Sequence, residues 1–594
     1  VAYARELAGK YRELWPDGQI LVAGSTATDV VLGEAVAQDL RTLLTLSYLV
    51  IGIGLLLLLR SWVGMLATVA LITLSIAVTM GFFGWLGTKL TPVAGFVPSI
   101  VMTIAVADAV HVLVTYFQGL RGGLAQDLAL REAMRINAAP IFITSITTVI
   151  GVLSLNFSDS PPYRALGNMV AVGVTTAWLL TMTFLPALLK WVPAGVAAGR
   201  SRDETRLPMD GFASWIIANR RVLLGAGSVV IVIVSGFMFK NELSERWFEY
   251  FDETFEYRRG IDAIDEHIGG IDGIAYVLDS GERDGVYDPR YLQTVEDFAD
   301  WYREQPKVAS VNTITNTLKR LNKNMHGDDP DFYRVPDRRD LAAQYLLLYE
   351  LSLPQGLGLD TMINMDRSAT RFSVITKKMD SNELLQLEED AQRWLSENAP
   401  VFEPTEGTGL DVIFAHMNER NIRSMLKGAL VALLLISIAL ILALRSIRLG
   451  LVSLIPNFAP AALAYGLWGM FVGHINAALA VVITMSLGIV VDDTVHFLSK
   501  YRRARIEKEL SAEEGIRYAF NTVGIALAIT TAVLVTGFSV LAASHFTPTK
   551  ETGTLLALTL GIALVVDFLF LPPLLLALDR FLPLEESRAA PALL

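Results

Sequence analysis

The chain has 594 residues, of which 53% are hydrophobic and 18% are charged. Because soluble globular proteins carry about 25% charged residues, this composition excludes an ordinary soluble protein and predicts a membrane protein. There is no cysteine, which excludes disulfides, thiolate metal sites and cysteine nucleophiles. The net charge of −11 comes largely from one acidic block and gives no sign of a nucleic-acid partner.

The chain opens with the pattern of a soluble helix, AYARELAGKYRELW, followed by a predicted short strand, QILVAG, at 19–24. We interpret residues 1–40 as the C-terminal remnant of a first extracytoplasmic domain. The expectation is therefore that the sequence is truncated at its N-terminus.

Eleven apolar runs follow, each close to the 20 or so residues that cross a bilayer as a helix. They lie at 41–59, 62–86, 95–119, 138–157, 165–191, 221–240, 425–444, 449–472, 477–500, 519–543 and 553–579. We predict a twelve-span plan that lacks its first span, divided as 41–191 (first transmembrane repeat, spans 2–6), 192–220 (cytoplasmic linker), 221–240 (span 7), 422–580 (second transmembrane repeat, spans 8–12) and 581–594 (cytoplasmic tail).

A charged block at 241–421 separates span 7 from span 8. Strand-like runs alternate in it with amphipathic helices, which predicts a βαβ-type α+β domain. The predicted strands are GIAYVLDS (273–280), RFSVITKKM (371–379) and DVIFAH (411–416), and the predicted helices are 290–304, 381–397 and one within 330–356.

Lys and Arg near the span ends predict the orientation, because short cytoplasmic loops carry an excess of them. The basic set is Arg60, Arg121, Arg131, Arg135, Arg200, Arg202, Arg206, Arg220, Arg221, Arg445, Arg448, Lys500, Arg502, Arg503, Arg505 and Lys508. The opposite set holds little beyond Lys89 and Lys550. The basic set is predicted to be cytoplasmic, which puts 241–421 in the periplasm of a bacterial inner-membrane protein.

The two halves repeat in the same direction at an offset of 385 or 386 residues, as in transporters whose halves are related by an axis along the membrane normal. The aligned residues are Gly24 with Gly409, Arg60 with Arg445, Ser61 with Ser446, Asp108 with Asp493, His111 with His496, Gly151 with Gly537 and Pro186 with Pro572.

An Asp-x-x-His turn recurs in both halves, at Asp108/His111 and at Asp493/His496. A central Asp costs about 2.5–3.5 kcal/mol to insert, so it needs a partner, water or a proton. Residues three apart share a helix face, and imidazole titrates near neutrality. The two turns are therefore predicted to be the proton-coupling site.

Asp492 is a further candidate, because it lies four residues before His496. Its repeat equivalent is Ala107, so the two halves are not equivalent. Asp567 is another acid at membrane depth, and for this residue a structural role is favoured; its repeat equivalent is Thr181.

Hydroxyl residues cluster on the spans that follow each acid. They could solvate the carboxyls or relay a proton, and ordinary interhelical hydrogen bonding explains them equally well. They are Thr144, Ser145, Thr147, Thr148, Thr530, Thr531 and Thr536.

Two other interpretations of the Asp-His pairs stay open. One is neutral packing between helices, and the other is a divalent cation held by both pairs. No phosphate-binding loop, nucleophile elbow or paired-cysteine metal spacing is present in the sequence. Energy from nucleotide hydrolysis therefore has no site in this chain, and we expect a proton gradient instead of a cofactor.

The string GIVVDDTVHFLSKYRRAR, with AVADAVHVLVTYFQGLR as its weaker counterpart, resembles the resistance-nodulation-division (RND) superfamily. Within it, the chain is most similar to the MMPL-type predicted exporters, which are related to sterol-sensing-domain proteins. The resemblance implies two pseudo-symmetric helix bundles with extracytoplasmic porter domains, in a dimer or trimer. It also implies relay acids on the fourth and tenth spans, which correspond here to Asp108, Asp492 and Asp493.

The chain departs from its relatives at the residues beside these acids. Mycobacterial MMPL proteins place a Tyr after each Asp, where this chain has Ala109 and Thr494. The multidrug branch has its double Asp in the first half and a Lys in the second, whereas here the double Asp is in the second half. Multidrug specificity is therefore not expected.

Together these patterns predict proton-driven export or trafficking of hydrophobic or lipidic substrates, without enzymatic activity. Alternating protonation of the acids would shift the bundles and pass motion to 241–421. Two other classes stay open: a sterol- or lipid-sensing protein that does not pump, and an accessory factor for protein export.

Overall fold

The fold is described from a computed structural model, in which residues 1–192, 209–354, 358–399, 402 and 405–581 are described. Most of the predicted linker and the predicted tail, with Arg200, Arg202 and Arg206, lie outside the described residues.

Helices dominate this part of the chain. They are α1 (Ala2–Leu14), α2 (Ser25–Leu59), α3 (Trp62–Trp85), α4 (Val97–Arg121), α5 (Gln126–Leu153), α6 (Pro161–Met182), α7 (Phe184–Trp191), α8 (Asp210–Ala218), α9 (Arg220–Gly236), α10 (Glu256–Ala263), α11 (Pro289–Arg303), α12 (Ile314–Met325), α13 (Arg339–Ser352), α14 (Ser381–Asn398), α15 (Leu410–Leu444), α16 (Ile447–Phe471), α17 (Ala477–Ile506), α18 (Ala512–Ala519), α19 (Ile525–Leu541), α20 (Thr547–Leu569) and α21 (Leu571–Phe581).

Five short strands accompany the helices. They are β1 (Glu242–Leu243), β2 (Asp272–Asp279), β3 (Val308–Asn312), β4 (Ala369–Thr376) and β5 (His474–Ile475). Strands β2, β4 and β3 form an antiparallel sheet in that order, and β1 pairs with β5 in parallel. The chain passes from β2 through α11 to β3, with β4 between the two strands, so the predicted α+β character is confirmed.

Each of the eleven predicted spans corresponds to a helix that is long and apolar enough to cross a membrane. Two of these helices, α2 and α15, begin well before the predicted spans at 41–59 and 425–444. Their first turns are polar, and a hydropathy pattern detects only the apolar remainder of a helix. The predicted strand at 411–416 is therefore wrong, because these residues form the start of α15.

The predicted strand at 19–24 is also absent, although the helix before it is present as α1. Its last residue, Gly24, has a φ of +115°, and the repeat-equivalent Gly409 has a φ of +130°. Glycine adopts this region at little cost. Each of the two long helices α2 and α15 thus starts directly after a glycine in the same unusual conformation.

The repeat recurs in the turns that join the first two helices of each half. Arg60 and Arg445 both have a positive φ, at 53° and 45°. The serine that follows each of them caps the next helix: the Ser61 hydroxyl accepts from the Gly64 N–H at 3.2 Å and the Ser446 hydroxyl accepts from the Leu449 N–H at 3.3 Å. The two halves therefore fold alike where their sequences align.

The chain divides into two compact units, and the division falls within α2 and α15. The first unit contains residues 1–30 and 244–420. Its core packs aromatic side chains of α11 against the sheet, with the rings of Phe298 and Phe372 4.7 Å apart. The hydroxyls of Tyr276 and Tyr302 share a hydrogen bond of 2.6 Å in this core.

Asp272 is a buried acid at the start of β2. The Trp247 Nε1–H donates to its Oδ1 at 3.0 Å, and the Met379 N–H donates to its Oδ2 at 3.3 Å. Burial raises the pKa of Asp272 to about 7, and the charge of Asp411 adds to the rise. Because the folded pKa exceeds the unfolded value of about 3.9, this carboxyl stabilises the fold most below pH 4. That contribution is lost as the pH rises through about 7.

We expect Asp272→Asn to flatten the pH dependence of stability between about pH 4 and pH 7. Above about pH 7 the variant should be more stable than the wild type, by up to about 4 kcal/mol for a shift of this size. Thermal unfolding of the full chain, followed by tryptophan fluorescence, measures the effect. The exposed Asp297→Asn is the matched control. Equal pH profiles for Asp272→Asn and the wild type would contradict the assignment.

The second unit, residues 31–243 and 421–594, is the helix bundle. Within it α5 crosses α17 at a close approach of two glycines. A Cβ on Gly151 would lie 3.2 Å from the Cα of Gly488, and a Cβ on Gly488 would lie 3.0 Å from the Cα of Thr148. The Thr148 hydroxyl also donates to the carbonyl of Gly488 at 3.0 Å. Small residues at this crossing therefore let the two backbones meet, as is typical of membrane helices.

Gly488→Val is expected to push α5 away from α17 and to destabilise the bundle by about 1–3 kcal/mol, because backbone atoms cannot yield to the added side chain. Thermal unfolding in detergent measures the loss. Gly81→Val on α3 is the control, because no atom lies within 4 Å of a Cβ there. An equal midpoint for the two variants would show that the crossing tolerates a larger residue.

Candidate functional site

Helices α4 and α17 carry the predicted site residues through the centre of the bundle. In their most apolar 18-residue windows, 100% and 89% of the residues are buried. Both helices are rich in Ala, Val and Gly around the acids, so neighbouring helices can approach closely. Charged groups on these helices are consequently held away from lipid.

The imidazole rings of His111 and His496 meet face to face. Their centroids are 3.8 Å apart and their planes differ by 5°. Both residues are at most 1% exposed, and no ring nitrogen has a hydrogen-bond partner among the described residues. The structure thus brings together the two histidines that the repeat aligned, one from each half.

Asp492 lies against this stack. Its Oδ1 is 3.4 Å from the Nε2 of His496, one helical turn away on α17. Asp108 is 3% exposed, its Oδ2 has no hydrogen-bond partner among the described residues, and it is near enough for its charge to repel that of Asp492. Two carboxyls and two imidazoles, contributed by both repeats, therefore form one buried cluster.

The sequence predicts Asp493 as the first partner of His496, but in the structure its side chain is hydrogen-bonded to a different helix. The Thr531 hydroxyl of α19 donates to Oδ2 of Asp493 at 2.9 Å. The i, i+4 residue Asp492 takes the place beside the imidazole instead. The double Asp consequently points one carboxyl at the histidine stack and the other at α19.

The predicted hydroxyls differ in what they contact. Thr531 donates to Asp493. Thr144 lies beside Asp492, and its hydroxyl also donates to the carbonyl of Ile141 at 3.0 Å. The hydroxyls of Thr147, Thr148 and Thr530 donate to backbone carbonyls. These hydrogen bonds are those of helix packing, and Thr536 bonds the carbonyl of Ala532 in the same way. The Ser145 hydroxyl has no hydrogen-bond partner among the described residues.

Asp567 of α20 is also connected to this cluster. The Thr494 hydroxyl donates to its Oδ1 at 2.9 Å, and the charge of Asp493 acts on it. Its side chain is fully buried. Nothing in the sequence pairs Thr494 with Asp567, because residues 73 positions apart come into contact only when α17 packs against α20.

Lys500 ends the predicted span 477–500 and belongs to the basic set that is predicted to be cytoplasmic. In the structure α17 continues past Lys500 to Ile506, and Lys500 is 3% exposed and donates to the carbonyl of Ile136 at 2.9 Å. Its charge acts on both stacked imidazoles. The cue in the sequence was its position four residues after His496, on the same helix face.

A metal ion is the alternative that the geometry of the cluster tests. One ligand atom from each of His111, Asp492 and His496 lies within 4.8 Å of the others. A metal ion bound to an imidazole nitrogen lies in the ring plane at about 2.1 Å. Because the two rings are parallel and stacked, an ion in the plane of one ring cannot lie in the plane of the other. Coordination of one metal ion by both histidines would require one ring to rotate. The stacked arrangement therefore does not fit a metal ion held by both histidines.

The same geometry limits the charge that the cluster can hold. Two positive rings 3.8 Å apart would repel by about 4 kcal/mol at an effective dielectric constant of about 20. The stack can therefore accept one extra proton more readily than two. Among the described residues His496 is the ion-pair partner of Asp492, and Asp108 has none. The cluster therefore has the chemistry of a proton-exchange site.

Comparison with known proteins gives two findings of family and fold. A model of the MMPL family matches residues 5–239 and 286–592. The crystal structure of SecDF, a translocon-associated membrane protein from Thermus thermophilus and a member of the RND superfamily, matches with a TM-score of 0.56 and 16% identity. The match covers 93% of this chain and 63% of that one. At this identity the likeness shows the fold, and the predicted RND-type architecture is confirmed.

Curated relatives match over shorter stretches. The heme uptake protein MmpL11 of Mycobacterium tuberculosis is 25% identical over 256 residues, which are 41% of this chain and 26% of that protein. A membrane protein of Methanocaldococcus jannaschii is 22% identical over 174 residues, which are 29% of this chain and 45% of that protein. The matched regions thus span less than half the length of these relatives.

Proposed function

The chain belongs to the MMPL family, a family of membrane transporters, and we propose that it uses a proton gradient to move hydrophobic or lipidic molecules across or out of a bacterial cytoplasmic membrane. The proposal takes residues 241–421 as a second porter domain on the periplasmic side, in agreement with the basic loops on the other side. It also includes assembly as a dimer or trimer, which native mass spectrometry can test.

One observation carries this proposal: the stack of His111 on His496, with Asp108 and Asp492 beside it. Ionisable groups inside a membrane are costly and mark ion pathways by default. Here the groups come from equivalent turns of two repeats and meet at full burial. Simple packing would not require four titratable side chains at one point.

The mechanism follows from moving one proton through this cluster. A proton that enters from outside neutralises an acid, and the balance of charge between α4 and α17 changes. The two bundles then shift relative to each other, and the proton leaves on the inner side. Each charge moved across the membrane supplies about 2.3 kcal/mol per 100 mV, and this energy drives the movement of substrate.

The substrate class rests on the family and on composition. The chain contains no phosphate-binding loop, and a transporter of this family handles its cargo at or near the membrane. One relative is named for the uptake of heme, an amphiphilic molecule, and a hydrophobic cargo agrees with that. Transport should therefore be assayed in both directions.

The test uses the full chain in vesicles of phosphatidylethanolamine and phosphatidylglycerol, with an NBD-labelled phosphatidylethanolamine and the lipids that copurify with the protein as probes. An imposed pH gradient should drive probe movement, and an uncoupler should stop it. Asp108→Asn should abolish the gradient-driven part, whereas the exposed Asp127→Asn should not.

Two outcomes would replace the proposal. Lipid binding that is equal with and without the gradient, and without movement, would favour a lipid-sensing protein. Copurification with translocon subunits, together with no effect on lipid movement, would favour an accessory role in protein export.

A further inference from the structure

The two repeats share their Asp-x-x-His turns but differ in polarity at three nearby positions. The first repeat has Ala107, Ala109 and Thr181 where the second repeat has Asp492, Thr494 and Asp567. All six side chains are buried. The second repeat therefore has two buried carboxyl groups, those of Asp492 and Asp567, in addition to the acid of its Asp-x-x-His turn. The first repeat has no carboxyl group at the equivalent positions.

Asp567 is the last in chain order of the three polar residues Asp492, Thr494 and Asp567. It lies near the C-terminal end of α20, and its Oδ1 accepts from the Thr494 hydroxyl of α17 at 2.9 Å. Its Oδ2 has no hydrogen-bond partner among the described residues. Thr494 directly follows Asp493 on α17, so the residue that bonds Asp567 is the chain neighbour of Asp493. One carboxylate oxygen is thus held in place and the other is free to take a proton.

No Lys, Arg or His side chain forms an ion pair with Asp567 among the described residues. Helices α9, α16, α17, α19 and α21 pack against α20. Titratable residues on these helices and on α20, apart from Asp492, Asp493, His496 and Asp567 itself, are Arg220, Arg221, Arg448, Tyr465, Lys500, Tyr501, Arg502, Arg503, Arg505, Lys550, Glu551 and Asp579 among those whose side chains are described. The charge that acts on Asp567 is that of Asp493, which is itself an acid. Two neighbouring buried acids favour a state in which they share one proton.

A purely structural role would leave different traces. A Thr-Asp hydrogen bond between helices can serve as packing, and an amide can accept it as well as a carboxylate does. A structural bond would not need an acid at membrane depth, which costs about 2.5–3.5 kcal/mol to insert. Packing alone does not explain why Oδ2 of Asp567 has no hydrogen-bond partner among the described residues, or why a second acid, Asp493, lies nearby.

We propose that Asp567 is a further proton-carrying acid, which receives the proton from Asp493 and passes it toward the C-terminal ends of α17 and α20. The O–H bond on the Asp493 carboxyl breaks and an O–H bond forms at Oδ2 of Asp567, while Thr494 positions the acceptor through Oδ1. This route exists in the second repeat alone, because Ala109 and Thr181 replace its members in the first. The inference rests on the proton-driven function proposed above.

The test measures proton flux into vesicles of phosphatidylethanolamine and phosphatidylglycerol that contain the full chain and the pH dye pyranine. Under an imposed gradient, Asp567→Asn should lower the flux about tenfold or more, as expected for the loss of a proton-transfer group. Asp567→Glu should restore part of it. Thr494→Val should lower the flux less and change its pH profile, because the acid remains but is no longer positioned.

Thr181→Val is the matched control, since it alters the repeat-equivalent position without touching the route; its flux should equal that of the wild type. If Asp567→Asn keeps wild-type flux while Asp493→Asn loses it, the inference is wrong and the proposed function stands. If both variants keep wild-type flux, the proposed function fails as well. Should Asp567→Asn not fold, an unchanged pH profile in Thr494→Val and Asp567→Glu would overturn the inference in its place.

Discussion

Asp493→Asn is expected to reduce gradient-driven proton flux about 100-fold, within the range measured when a proton-transfer group is removed. The amide has nearly the size of the carboxyl and can still accept the Thr531 hydroxyl, so the fold should survive. It cannot bind and release a proton. Proton flux into vesicles loaded with pyranine measures the effect, because no substrate needs to be known.

Two companions make this prediction specific. Asp127→Asn removes an exposed acid at the start of α5 and should leave the flux unchanged. Asp493→Glu retains a carboxyl and should keep a measurable part of the flux. Wild-type flux in Asp493→Asn, with an intact thermal midpoint, would remove this residue from the proton route.

Replacing either stacked histidine by phenylalanine should have an effect of similar size. Phenylalanine preserves a flat ring in the stack but has no nitrogen to carry a proton. Because two charged rings 3.8 Å apart would repel by about 4 kcal/mol, the proton should occupy His111 and His496 one after the other. Each step then depends on the other ring, and His111→Phe and His496→Phe should each reduce the flux at least tenfold.

The double variant distinguishes a shared route from two independent ones. If one proton visits both rings, His111→Phe/His496→Phe should cost about as much as either single change, since residues that act as a unit are strongly non-additive. Losses that multiply would indicate separate routes through the two repeats. Wild-type flux in either single variant would mean that the stack is packing alone.

The sequence predicted the parts of this molecule that are set by local pattern. Apolar runs located all eleven candidate spans, and the offset between Asp108 and Asp493 aligned two turns that the fold places together at its centre. Gly24 and Gly409 aligned as well, and both take a positive φ before a long helix. Hydropathy is a property of single helices and repeat spacing is a property of their order along the chain. The spans and the aligned turns could therefore be predicted from the sequence.

What the sequence did not predict depends on how helices pack. The partner of Asp567 is Thr494, on a helix 73 residues earlier. The predicted span ends at Lys500, yet α17 continues to Ile506, and the carbonyl of Ile136 on α5 accepts a hydrogen bond from the Lys500 ammonium group. The run at 411–416 has β-branched and aromatic residues typical of a strand, but the long helix α15 includes it. In each case a tertiary contact or helix continuation outweighed the local pattern.

The central claim is that the acids beside the histidine stack gain and lose protons inside the bundle. Infrared difference spectroscopy of the full chain in vesicles, between about pH 5 and about pH 8, reports this directly through the C=O band of protonated carboxyls. We predict a band in the wild type that loses intensity as the pH rises, and a smaller band in both Asp108→Asn and Asp492→Asn. Identical difference spectra for the wild type and both variants would contradict the account.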